Sequence, residues 1–123
     1  MYQRSAKIKE EIGDKKGLAK TYHQMGMTYE NKQEYETALH WYDKSFTIKK
    51  EINDIQGMIF TLGQKSLLYF NIENYPDAFI HIISAISFAE QYAPHFLPRA
   101  QAQLQSFYDQ LGEEKSREVM DSL

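Results

Sequence analysis

Between residues 15 and 52 the apolar positions recur at the helical period. Leu18, Tyr22, Met25 and Tyr29 are three or four residues apart, and so, for the most part, are Tyr35, Leu39, Tyr42, Phe46 and Ile48. That spacing gathers each group on one face of an α-helix. The polar run Asn31–Gln33 between them predicts a turn, so the segment reads as two helices joined in a hairpin. The same pattern returns 40 residues on. Eight of the sixteen residues in Tyr42–Gly57 are identical to their counterparts in Tyr2–Gly17. At that offset Thr21, Gln24, Tyr29, Asn31, Tyr35 and Ala38 are repeated as Thr61, Gln64, Tyr69, Asn71, Tyr75 and Ala78. An ungapped offset of this length predicts an internal structural repeat.

Turn chemistry separates the periods. Gly13-Asp14 and Asn53-Asp54 suit a helix end followed by a helix start, with Gly13 and Asn53 able to take the left-handed conformation. Pro76 falls in the first turn of the fourth helix, where its missing N–H matters least. Small residues sit where the helices of a hairpin are expected to approach, Gly26 facing Ala38 and, one period later, Ser66 with Ala78. The surface turn at Gln33 is expected to tolerate substitution. The ends differ from the middle. Residues 2–12 match the second helix of a repeat whose first helix is missing. This leaves an apolar seam at Tyr2, Ile8 and Ile12, and it points either to a piece of a longer protein, the favoured reading, or to a seam covered by another chain. After residue 92, Pro94 and Pro98 mark a bend. Leu97, Ala100, Leu104, Tyr108 and Leu111 then predict a helix that ends at Gly112. A short final helix follows, with Val119, Met120 and Leu123 expected to face inward.

The order Tyr22, Met25, Gly26, Tyr29, Tyr35, Ala38, Tyr42, Ser45 resembles the tetratricopeptide-repeat signature, in its longer 40-residue variety. The second copy, Leu62, Lys65, Ser66, Tyr69, Tyr75, Ala78, Ile82, Ala85, departs at Lys65 and Ser66. The resemblance implies an all-α, right-handed α-solenoid of antiparallel helix hairpins with about seven helices. It implies a single domain over 1–123: a half repeat at 2–12, full repeats at 15–52 and 55–92, and a degenerate cap at 97–123.

Charge and composition narrow the function classes. The net charge of −3 gives no strong pull toward nucleic acid or membranes. Six basic residues face three acids in 1–20, while 61–123 has four basic and eight acidic residues, which reads as solvated helix faces. The chain has no cysteine, which excludes disulfides and thiol nucleophiles and fits a reducing, cytoplasmic setting. The apolar run 78–89 is too short to span a bilayer. No phosphate loop, dinucleotide fingerprint or nucleophile elbow is present. His23, His40, His81 and His95 have no ligand spacing and are expected as isolated surface or groove residues. No catalytic, cofactor or metal site is expected, and no small-molecule substrate.

What the resemblance implies is a concave groove lined by the first helix of each pair. The corresponding positions are Lys20, His23, Gln24, Met27, Glu30 and Asn31, then Phe60, Gly63, Gln64, Leu67, Phe70 and Asn71, with Arg99, Ala102, Gln103 and Ser106 from the cap. Some relatives hold a partner's C-terminal carboxylate with Lys and Asn where His23 and Met27 stand, so that clamp is not expected here. Apolar Met27, Phe60, Leu67 and Phe70 beside amides suit an extended peptide or a helix, unless they pack against the neighbouring repeat. The expected function is a protein–protein interaction scaffold. The alternatives are a self-association module acting through the exposed N-terminal helix, or a regulatory domain of a larger signalling protein.

Overall fold

The structure, a computed structural model, describes residues 14–123. Among these residues there is no strand, and their regular structure is all helical. The helices are α1 (Lys15–Asn31), α2 (Tyr35–Glu51), α3 (Ile55–Asn71), α4 (Tyr75–Tyr92), α5 (Leu97–Leu111) and α6 (Glu113–Asp121), with a 3₁₀ turn over Pro94–Phe96 before α5. Six α-helices are seen among the described residues, where about seven were expected for the whole chain. The helix expected over 2–12, with its apolar seam, lies outside the described residues. Contacts divide the chain into two compact units, Met1–Thr61 and Leu62–Leu123, with the division inside α3 and not at a repeat boundary.

The 40-residue offset has a physical basis at the helix starts. The Asp14 carboxylate accepts from the Gly17 amide at 3.0 Å, and Asp54 accepts from the Gly57 amide at 3.1 Å. Each aspartate thus satisfies one of the amides that a helix start leaves without an intrahelical partner. A Cβ at Gly57 would run into the Asp54 carboxylate and come within 2.9 Å of the Lys49 stem, so a larger residue there would have to displace the cap.

The helix ends share one design. Asn53 takes φ 58°, as its residue type predicts, and Asp54 N–H donates to the Lys49 carbonyl at 2.8 Å. The turns at Gln33 (φ 62°) and Glu73 (φ 65°) have the same geometry, with Glu34 N–H donating to Tyr29 O and Asn74 N–H to Tyr69 O. This is the six-to-one closure that ends a helix on a left-handed residue. Gln33 is exposed, as expected of a surface turn. It holds a conformation that costs a side-chain-bearing residue about 1 kcal/mol, and a β-branched residue there would be strained further. Gly112, between α5 and α6, takes φ 87° and ψ 161°, a different positive-φ conformation that favours glycine.

In the first unit α1 and α2 pack closely. The Ser45 hydroxyl donates to the Ala19 carbonyl at 2.6 Å, and both residues are fully buried. Gly26 does mark a close approach, and what lies nearest to it is the ring of Tyr42. A Cβ at Gly26 would lie 2.6 Å from two ring carbons of Tyr42. Glycine is there because an aromatic ring crosses over it. Tyr42 is 0% exposed and donates its hydroxyl to Glu30 at 2.6 Å. Burial and this short bond to a carboxylate push the Tyr42 phenol pKa up.

The second unit is built on aromatic rings. Phe107 of α5 stacks on Phe70 of α3 (centroids 4.3 Å apart, planes at 8°) and lies 5.9 Å from Phe79 of α4. Tyr108 meets Phe79 edge-on at 5.7 Å. Phe107 and Phe79 are fully buried. In α5 Ala100 is buried as expected, but the deepest residue, Phe107, was not among the residues expected to mark that helix, and Leu104, Tyr108 and Leu111 are only half-buried. In α6 Val119 is buried, whereas Met120 and Leu123 are 36% and 48% exposed, against expectation. Ser116 takes the other inward position, three residues before Val119 on the same face.

Candidate functional site

In the first unit, α1 presents Lys20, Gln24, Met27 and Asn31 at spacings of four, three and four. All are exposed, Met27 at 40%. The spacing puts them on one stripe of the helix. Glu30 is half-buried and engaged by the Tyr42 hydroxyl. Phe60, on the first turns of α3, is 50% exposed. Its ring is nevertheless held, stacked on His23 at 4.7 Å with planes 25° apart. A large apolar ring is thus fixed in place with one side in water.

His23 is not a groove residue. It is 4% exposed, between the rings of Phe60 and Tyr42 (5.1 Å). Its Nδ1 lies 3.3 Å from Thr61 Oγ1, and the buried Lys49 ammonium donates to the same oxygen at 2.8 Å. Burial, and then the Lys49 charge, lower the His23 pKa from 6.5 to about 4. Burial likewise lowers that of Lys49 to about 8, against the opposing pull of Asp54. Nothing in the hydrophobic pattern marks this cluster. Lys49 reads as a helix-surface lysine, and only the fold brings it to Thr61.

In the second unit Leu67 is 38% exposed and Asn71 exposed, with Gln64 half-buried. Beside Gly63 there is open space, since a Cβ would meet nothing within 4 Å. The Gly63 carbonyl is occupied, accepting from Gln103 Nε2 at 2.9 Å and from the Ser66 hydroxyl at 2.7 Å. Gln103 therefore turns inward instead of lining a groove. Phe70, expected in the groove, is 8% exposed and belongs to the ring stack; its face is used by Phe107. Arg99, Ala102 and Ser106 are exposed.

An open cleft of about 500 Å³ between α5 and α6 was not foreseen. It is lined by Gln105, Tyr108, Asp109, Glu113, Ser116, Arg117 and Met120. Its polar groups largely serve each other, as Arg117 pairs with Glu113 and Gln105 with Asp109, both at 3.0 Å. Elsewhere in the first unit, Tyr22 and Trp41 lie 5.4 Å apart, with the Lys44 ammonium 5.3 and 5.1 Å from their ring centres. Among the described residues, no three His, Cys, Asp or Glu side chains converge as metal ligands. No helix among them is long and apolar enough to cross a membrane. Comparison with known proteins returned no matching family model, no matching curated protein and no matching solved structure.

Proposed function

We propose that this chain is a helical-repeat scaffold of the tetratricopeptide kind, its hairpins stacked as a solenoid, that holds a peptide or helix of a partner protein in a cytoplasmic setting. The repeat half of the reading is supported by equivalent positions doing equivalent chemistry. Asp14/Gly17 and Asp54/Gly57 share one cap, and Gln33 and Glu73 share one left-handed closure. The binding half is carried by Phe60, a ring half in water yet fixed by its stack on His23. An aromatic already held in one orientation loses little freedom on binding, which is what makes such residues dominate interfaces. Met27 adds an adaptable apolar neighbour, and Gln24 and Asn31 offer amides to a peptide backbone. The reading assigns no catalytic role to any residue.

Selection of peptides from a displayed random library against the full chain tests this. Enriched sequences should contain apolar anchors. Their affinity should fall roughly 30-fold in Phe60→Ser, the loss of about 2 kcal/mol typical of an aromatic anchor, and less in Met27→Ser. The helical circular-dichroism signal should be unchanged in both. Enriched peptides that bind both variants as well as the parent would sink the assignment. Phe70 is unsuitable for this test, because a polar residue there would break the ring stack of the second unit.

A further inference from the structure

The His23, Thr61 and Lys49 side chains meet inside the first unit with a chemical conflict built in. We propose that they form an acid-operated latch, in which neutral His23 joins α1 to α2 and to the first turns of α3 through the Thr61 hydroxyl, and protonation of His23 releases α1.

The argument begins with proton counting. Lys49 donates to Thr61 Oγ1 at 2.8 Å. In the His23 tautomer that leaves Nδ1 unprotonated, the Thr61 hydroxyl donates to that nitrogen, 3.3 Å away, which accepts only when the imidazole is neutral. One hydroxyl therefore links side chains from three helices, and the link has a direction. When a solvent proton adds to Nδ1, that nitrogen becomes a donor. Thr61 Oγ1 must then accept from two cations at once, and its own proton loses its acceptor. Two like charges stand on either side of a single oxygen in a site where water cannot screen them.

The surroundings offer the new charge no relief. The Phe60 ring is stacked on the imidazole, and the Tyr42 ring lies 5.1 Å from it at 55°. His23 Nε2 is buried with no hydrogen-bond partner among the described residues. The facing groups from α2 are Lys49, which repels, and Tyr42, whose hydroxyl is turned to Glu30. From α3 the facing groups are Thr61 and Phe60. Asp54, in the turn between α2 and α3, acts on Lys49. The pKa of about 4 agrees with this geometry, its causes being burial and the Lys49 charge.

The sign follows. The folded state binds the proton near pH 4 and the open state near 6.5. The latch is fully engaged above 6.5, and its hold is lost as the pH falls from 6.5 toward 4. No part of this depends on what the chain binds.

The test uses the full chain. Imidazole carbon-proton NMR signals are followed from pH 7.5 to 3.5, and urea unfolding is followed by fluorescence of Trp41, the single tryptophan. The His23 signal should titrate well below 6.5. Between pH 7.5 and 5, the unfolding constant reported by Trp41 should rise roughly 25-fold more in the parent than in His23→Phe, from one linked proton. Lys49→Met removes the repelling charge without touching the imidazole and should move the His23 midpoint upward. A His23 midpoint at 6.5 or above in the folded chain overturns the latch. So does a pH slope in His23→Phe equal to that of the parent, or a midpoint unmoved in Lys49→Met. Should His23→Phe not fold, the titration of the parent and of Lys49→Met still decides.

Discussion

Gly26→Leu should destabilise the protein by about 3 kcal/mol, the upper end of the usual overpacking range, lowering Tm by roughly 10 °C in a chain of this size. The first added atom is already too much, because a Cβ would stand 2.6 Å from the Tyr42 ring. The ring has nowhere to go: it is fully buried, and its hydroxyl is bonded to Glu30. The better helix propensity of leucine, about 0.8 kcal/mol, works in the opposite direction and is too small to win. Gly63→Ala is the control at a helical glycine with open space beside it, and it should leave stability unchanged or raise it. The second repeat shows how the conflict can be relieved. There the glycine position holds Ser66 and the tyrosine position holds the smaller Ile82, both buried. Importing that pair, Gly26→Ser with Tyr42→Ile, should cost less than the sum of its single changes. Thermal melts of the four proteins form the double-mutant cycle that measures the coupling.

Phe107→Ala should cost about 3–5 kcal/mol. It leaves a ring-sized void between Phe70 and Phe79 and removes a stacked pair, itself contributing about 0.5–1.5 kcal/mol. Against a total stability of roughly 5–15 kcal/mol, such a loss is a large part of the whole. Tyr92→Ala, at a residue 61% exposed, should change stability by less than about 0.5 kcal/mol. Urea titrations of the two variants compare the effects directly. Equal, small shifts would mean that Phe107 is not the centre of its unit.

These two positions show what the amino-acid pattern carries and what it does not. Helix limits were legible because spacing and turn residues report them independently. Asn53 stands at a left-handed turn, Gly112 at a positive-φ link between two helices, and Pro76 in a first turn. The need for smallness at Gly26 was legible too, but the Tyr42 ring that lies against it was not. A period of 3.6 tells which face is inward, whereas the residue across from it depends on how two helices are rotated against each other. Phe107 was missed for a related reason, since α5 carries apolar residues on a broad arc and rotation chooses the deepest. His23 and Lys49 were invisible as a pair because each is polar: His23 was expected in the groove, and nothing in the pattern singles out Lys49. The lysine stem enters the interior, and Thr61, 12 residues beyond Lys49, supplies the bond that keeps it there. Gln33 and Glu73 hid their left-handed geometry because neither is the glycine or asparagine that usually announces it.

The central claim is that the stripe on α1, with Phe60, is where a partner lies. Amide and methyl NMR of the labelled full chain, titrated with a library-selected peptide, tests it most directly. Shifts should concentrate at Lys20, Gln24, Met27, Asn31 and Phe60 and saturate together with one affinity. Shifts centred instead on Tyr22, Trp41 and Lys44, or on the α5–α6 cleft around Tyr108 and Met120, would contradict it.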